Sequence, residues 1–294
     1  MLELNNVSRT FGDRRVLNDV SFTVGGGRMT GFVGGNGAGK TTTMRVILGV
    51  LSPDEGTVHL NGAPVTAEDR TGFGYMPEER GLYPKMKVGE QIAYLGRLHG
   101  MPANAAKASA DSLLDRLGLA ERANDLVEAL SLGNQQRAQI AAALVHEPEL
   151  LVLDEPFSGL DPIAVEVVQG VLKDYADRGA PVLFSSHQLD IVERLCDDLV
   201  VIADGEIRAS GSREDLRAKY SSPRFEIQLD GDAGWLRAEQ GVTVLDFAGG
   251  YALFDVDEAA TAQRVLQRAV AASPVQRFAP VTPSLAQIFK EVIQ

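Results

Sequence analysis

Eight consecutive residues concentrate the chemistry of this 294-residue chain: Gly34-Gly35-Asn36-Gly37-Ala38-Gly39-Lys40-Thr41. The pattern G-x-x-x-x-G-K-[ST] forms a phosphate loop when a strand precedes it and a helix follows. Both flanks are present: Met29–Val33 reads as a short buried strand, and Thr41–Leu48 reads as a helix. Glycines at 34, 35, 37 and 39 admit backbone angles that residues with a Cβ avoid. Successive amides can then turn inward around an anion, and the helix N-terminus adds free donors and partial positive charge. Lys40 is placed to reach β- and γ-phosphates, and the Thr41 hydroxyl to ligate Mg²⁺. The phosphate-binding candidates are Gly34, Gly35, Asn36, Gly37, Ala38, Gly39, Lys40, Thr41 and Thr42.

Three further stretches hold polar groups where an apolar run stops. Leu150–Leu153 is a buried strand that runs into Asp154 and Glu155. Acids at the carboxyl end of a strand in an α/β sheet lie where ligands bind. Val182–Ser186 is another buried strand, and His187 ends it beside the presumed phosphate site. Ser131 opens a helix running to Leu144 and is a good N-cap residue. Phe11 sits by a turn; it is either a core aromatic or a face for a stacked base. Glu78 lies in a loop punctuated by Pro77, Gly81 and Pro84, and either meets the site or faces solvent and Arg80.

The elements that must position these groups follow the chain. Residues 1–28 alternate apolar and polar, an antiparallel β-region with turns near Gly12-Asp13 and Gly25–Gly27. Short strands return over 54–75, and 87–127 is helical. Leu199–Ile202 is a strand, and Asp204-Gly205 turns a hairpin. After a helix over 212–219, Ser221–Arg224 reads as a linker. Beyond it the order becomes βαββαβ, a ferredoxin-like unit ending in a helix over 284–294, with Trp235 and Phe278 in its core.

The bulk numbers exclude several classes. A formal charge of -12 makes nucleic acid a poor partner. One cysteine, Cys196, allows no intrachain disulfide, fits a reducing compartment, and reads as a small core residue. No apolar stretch is long enough to span a membrane, and the N-terminus carries no signal-peptide pattern.

Taken together, the motifs resemble an ATP-binding-cassette ATPase, over roughly residues 2–220. Phe11 matches the adenine-stacking aromatic, Gly34–Thr41 the Walker A loop, and Glu78 the Q-loop position. Leu130–Asn134 matches the signature motif LSGGQ in degenerate form, with Leu132 for glycine and Asn134 for glutamine. Leu150–Glu155 matches Walker B with its catalytic glutamate, Ser158–Asp161 the D-loop, and His187 the switch histidine. The C-terminal part is similar to the accessory domain of ABC-2 cassettes, the drug-resistance and sodium-extrusion exporters. The resemblance implies a P-loop NTPase cassette of mixed α/β class, with an antiparallel β-region and a helical subdomain, over 1–220. A small α+β accessory domain follows over 225–294.

It also implies ATP and Mg²⁺ as cofactors, with Thr41, Asp154 and Glu78 at the metal. Lys40, Glu155 and His187 would be catalytic, and Ser131 and Gly133 would meet nucleotide across a head-to-tail dimer. The expected partners are a transmembrane permease and a second cassette, the same or different, with the chain on the cytoplasmic face of the cell membrane. A soluble cassette acting on ribosomes or DNA is disfavoured by a single Walker A, no sustained heptads and the acidic balance. A cassette that binds ATP without turnover is disfavoured by Glu155 and His187 and left open by Leu132.

Overall fold

In the computed structural model, residues 1–79, 81–220 and 223–281 are described, together with Ser284, Gln287 and Phe289. The expected last helix over 284–294, the linker residues Ser221 and Ser222, and the Arg80 partner considered for Glu78 lie mostly or wholly outside the described residues. The chain divides into two compact units, one covering Met1–Arg213 and one the described residues from Glu214 onward.

The first unit opens with β1 (Leu2–Phe11) and β2 (Arg14–Val24), an antiparallel pair around the Gly12-Asp13 turn. Next come β3 (Met29–Val33), α1 (Lys40–Ile47), β4 (Glu55–Leu60), β5 (Ala63–Pro64) and β6 (Phe73–Met76). α2 (Val88–Leu98), α3 (Ala103–Arg116) and α4 (Leu132–Leu144) form the helical stretch. The chain then alternates: β7 (Leu150–Leu153), α5 (Pro162–Asp177), β8 (Val182–Ser186), α6 (Leu189–Leu195) and β9 (Asp198–Ala203). β10 (Glu206–Ser212) closes the hairpin, and α7 (Arg213–Tyr220) begins at the boundary and belongs to the second unit.

Two sheets result. One is antiparallel, in the order β2-β1-β4-β5; the other has the order β10-β9-β3-β8-β7-β6. In the second, β9, β3, β8, β7 and β6 run parallel, and β10 is an antiparallel edge. All residues of β3, β7 and β8 are buried, the continuous burial expected of a parallel strand covered on both faces. One core joins both sheets and α1 through Leu4, Phe22, Phe32, Met44, Ile47, Val152, Leu183 and Ile202. The Phe22 and Phe32 rings meet with centroids 5.3 Å apart. Cys196 is buried just after α6, and burial pushes its thiol up to about 12, so it packs and does not react.

The second unit carries β11 (Arg224–Leu229), β12 (Val242–Ala248), β13 (Tyr251–Val256), α8 (Ala259–Ala272) and β14 (Val275–Pro280). Its sheet order is β12-β13-β11-β14, with every pair antiparallel, as a ferredoxin-like unit requires. The expected first helix is only a 3₁₀ turn, Gly234–Ala238. Trp235 and Phe278 are half-buried against the core of Ile227, Leu236, Phe254 and Val265.

Candidate functional site

β3 ends at Val33 and the glycine loop begins against β9: a Cβ at Gly34 would lie 2.4 Å from the Ile202 carbonyl oxygen. The loop ends at Gly39, whose φ of +112° is a conformation that favours glycine. α1 starts at once. Its N-cap gives no side-chain hydrogen bond and its first turn holds no acid, so its leading amides are available to a ligand. Lys40 curls back over the loop, its Nζ donating to the carbonyls of Gly34 at 2.8 Å and Gly35 at 3.2 Å.

The carboxyl ends of the neighbouring parallel strands supply the rest. Beyond β7, Asp154 accepts from Thr41 Oγ1 at 2.9 Å and from Ser185 Oγ at 2.5 Å. Glu155 follows with its side chain nine-tenths buried, and its Oε2 lies 2.9 Å from His187 Nδ1. His187, just past β8, is more than half exposed and reaches over the cleft. β6 leads through Pro77 to Glu78, which is exposed on the same cleft. Burial, with the Asp154 charge adding to it, raises the phenol of Tyr75 on β6.

These groups line a cleft of about 510 Å³, bounded by Asn36, Gly37, Gly39, Lys40, Thr41, Thr42, Glu78, Asp154, Glu155 and His187. Gly34, Gly35 and Ala38 shape the loop behind that wall without lining it. Ser131 and Gly133, at the start of α4, lie outside it, as does Phe11. Phe11 is 46% exposed at the end of β1, so it is not a core residue. The Arg9 guanidinium stands 5.0 Å from its ring centroid. Ser131 does cap α4, its Oγ accepting from Asn134 N–H at 3.4 Å, while Leu132 is 59% exposed beside it.

Sequence reasoning missed Arg14 and Val16, which complete the cleft wall from β2. Their signal was weak: they directly follow the turn after Phe11, and Arg14 pairs with Phe11 across the strands. Among the described residues the Arg14 side chain has no hydrogen-bond or ion-pair partner. The cleft thus carries two cations, three carboxylates, glycine-loop amides and two adjacent hard oxygen donors on Thr41 and Asp154. That set fits a polyphosphate held together with a divalent cation, since the carboxylates would repel a bare triphosphate.

The chain is 36% identical, over 293 residues, to the ABC transporter ATP-binding protein YhaQ of Bacillus subtilis, covering all of this chain and 98% of that one. It belongs to the ABC transporter ATP-binding family. The family model described as ABC transporter matches residues 17–158, and that described as the ATP-binding protein DrrA1-3-like C-terminal domain matches residues 211–293. The Nod factor export ATP-binding protein I of Burkholderia lata is 41% identical over 72% of this cassette chain and 70% of its own. A solved structure titled as the ATP binding subunit of an ABC transporter superposes with a TM-score of 0.69 at 32% identity, covering 75% of this chain and 93% of that one. The cassette is therefore an ATP-binding, ATP-hydrolysing subunit of a family that works with transmembrane permeases. Among its described residues no helix is long and apolar enough to cross a membrane.

Proposed function

We propose that this chain is the ATPase subunit of an exporter, hydrolysing MgATP between two head-to-tail cassettes to drive a separate permease from the inner face of the membrane. The observation that carries this reading is the contact of His187 with Glu155, 2.9 Å apart, over a cleft that also holds Lys40, Thr41 and Asp154. Residues 1–220 serve as the nucleotide-binding domain and 225–294 as an accessory domain.

Loop amides from Gly34 to Thr42 cradle the phosphates, and Lys40 leaves its two carbonyls to neutralise them. Phe11 and Arg14, cross-strand partners, flank the base. Thr41, Asp154 and Glu78 would hold Mg²⁺, which would supply charge neutralisation at the phosphates. Glu155 takes the proton of the attacking water, and His187 aligns that water with the γ-phosphate. Ser131 and the Gly133 amide come from the partner's α4 and bring its N-terminal dipole to the same phosphate. Exporter relatives such as the Nod factor protein support the direction of transport.

Glu155→Gln tests the core of this reading. The amide keeps the shape and loses the base, so the variant should bind ATP, turn over very slowly and elute as a dimer on size-exclusion chromatography in MgATP. A monomer that hydrolyses ATP at the wild-type rate would refute it.

A further inference from the structure

Glu155 holds a backbone φ of +53°, a conformation uncommon for a residue with a side chain. Such a conformation persists where its surroundings over-determine it. Two side chains from different elements do so here. The Glu155 N–H donates to Ser185 Oγ on β8 at 2.9 Å, and the Glu155 carbonyl accepts from Gln136 Nε2 at 2.9 Å. Because the acceptor is a carbonyl, the Gln136 amide must present its nitrogen. Gln136 is 8% exposed and lies on α4, five residues beyond Ser131. One helix therefore has a first turn that lies outside its own chain's cleft and a buried amide fixed on the backbone of Glu155.

We propose that Gln136 is a positioning residue that ties α4 to Glu155 of the same chain, so that α4 seating on a partner's nucleotide sets the carboxylate at its own site. The inference rests on the reading of Glu155 as base and of Ser131 and Gly133 as partner-facing. A helix moves as a rigid rod, so a shift of its N-terminus carries Gln136 along. Displacing a catalytic group by about 1 Å costs on the order of 100-fold in rate. The bond thus gives each of two paired sites a mechanical report on the other, and the donor is a side chain at the root of the signature helix.

The test is Gln136→Met in the full chain, a substitution close in length and flexibility that removes the donor. The expected result is a fall in kcat of roughly 10- to 100-fold, with KM for ATP within about twofold of wild type and an unchanged melting temperature. Gln136→Glu, which keeps the outline and places an acceptor against the carbonyl, should lower kcat similarly and guards against a folding failure of the first variant. In the Glu155→Gln background, Gln136→Met should change the residual rate no further, because residues acting as a unit are non-additive. Wild-type kcat in both single variants overturns the proposal. So does a loss of kcat matched by equal losses of ATP affinity and melting temperature, which assigns Gln136 to holding the fold. If Glu155→Gln itself turns over normally, the reading of Glu155 has failed, and the proposal falls with it for that separate reason.

Discussion

Ser185→Ala removes one hydroxyl from the interior, and its cost can be worked out bond by bond. Ser185 is fully buried in β8. Its Oγ donates to Asp154 Oδ1 at 2.5 Å and accepts the Glu155 N–H at 2.9 Å. The first is a hydrogen bond to a charged group, with a net value of about 1.5–3 kcal/mol. The second leaves a buried backbone donor without a partner, a penalty of about 1–3 kcal/mol. Asp154 keeps its bond from Thr41, which places the carboxylate loss toward the low end. The sum is about 3 kcal/mol, and for a unit of roughly 210 residues each kcal/mol shifts the melting temperature by about 2–4 °C. Differential scanning calorimetry should therefore show the transition that responds to MgATP falling by roughly 6–12 °C. kcat should fall with it, since the Glu155 N–H loses its partner, leaving the left-handed backbone held only at its carbonyl, by Gln136 and by the Ser158 N–H. A melting temperature within about 2 °C of wild type, with unchanged kcat, would refute the reasoning, because it would mean that neither bond contributes in solution.

Three other expectations follow from the same geometry. Lys40→Ala should abolish turnover and greatly weaken nucleotide binding, measured by calorimetric titration with MgATP, because it removes the mobile cation from the loop; normal turnover would remove the phosphate-loop assignment. Glu78→Gln should change the dependence of ATPase rate on free Mg²⁺ more than the apparent affinity for ATP; superimposable curves would place Glu78 outside the metal's reach. Burial, with the stacked His99 ring 3.6 Å away, lowers the His146 pKa to about 4. The unfolded chain binds that proton near pH 6.5 and the folded one does not, so this contribution to stability is complete above about pH 6.5 and is lost as pH falls toward 4. Denaturant melts across that range should show a slope that flattens in His146→Gln, and an unchanged slope would count against the buried neutral ring.

The phosphate loop was legible because everything that makes it is local: a short apolar strand, glycines at fixed spacing, then a helix. Asp154, Glu155 and His187 were legible for a related reason, as polar residues at the point where an apolar strand runs out. What the sequence hid depends on partners far along the chain. Ser185 reads as one more residue of a buried strand until β8 is laid beside β7 and the hydroxyl meets Asp154. Gln136 reads as an ordinary polar helix residue until α4 packs by the end of β7. Arg14 and Val16 enter the cleft only because β2 folds back over the phosphate loop. The alternation expected in β1 slips between Leu4 and Arg9, where register shifts interrupt the ladder and Asn6 takes a φ of +53°. The ferredoxin-like order was legible, yet its first helix shrank to a 3₁₀ turn opened by Gly234.

The placing of β3 between β8 and β9 also sets a timetable for the ribosome. The phosphate loop is made early, but the strand that carries it has no neighbour until Val182–Ser186 and Asp198–Ala203 exist. At about 5–20 residues per second, the roughly 150 residues between β3 and β8 take on the order of 10–30 s to synthesise. During that interval Met29–Val33, wholly buried in the finished protein, has to be shielded by something else. A chain truncated before β8 would carry an intact phosphate-loop sequence while β3 lacked both of its sheet neighbours.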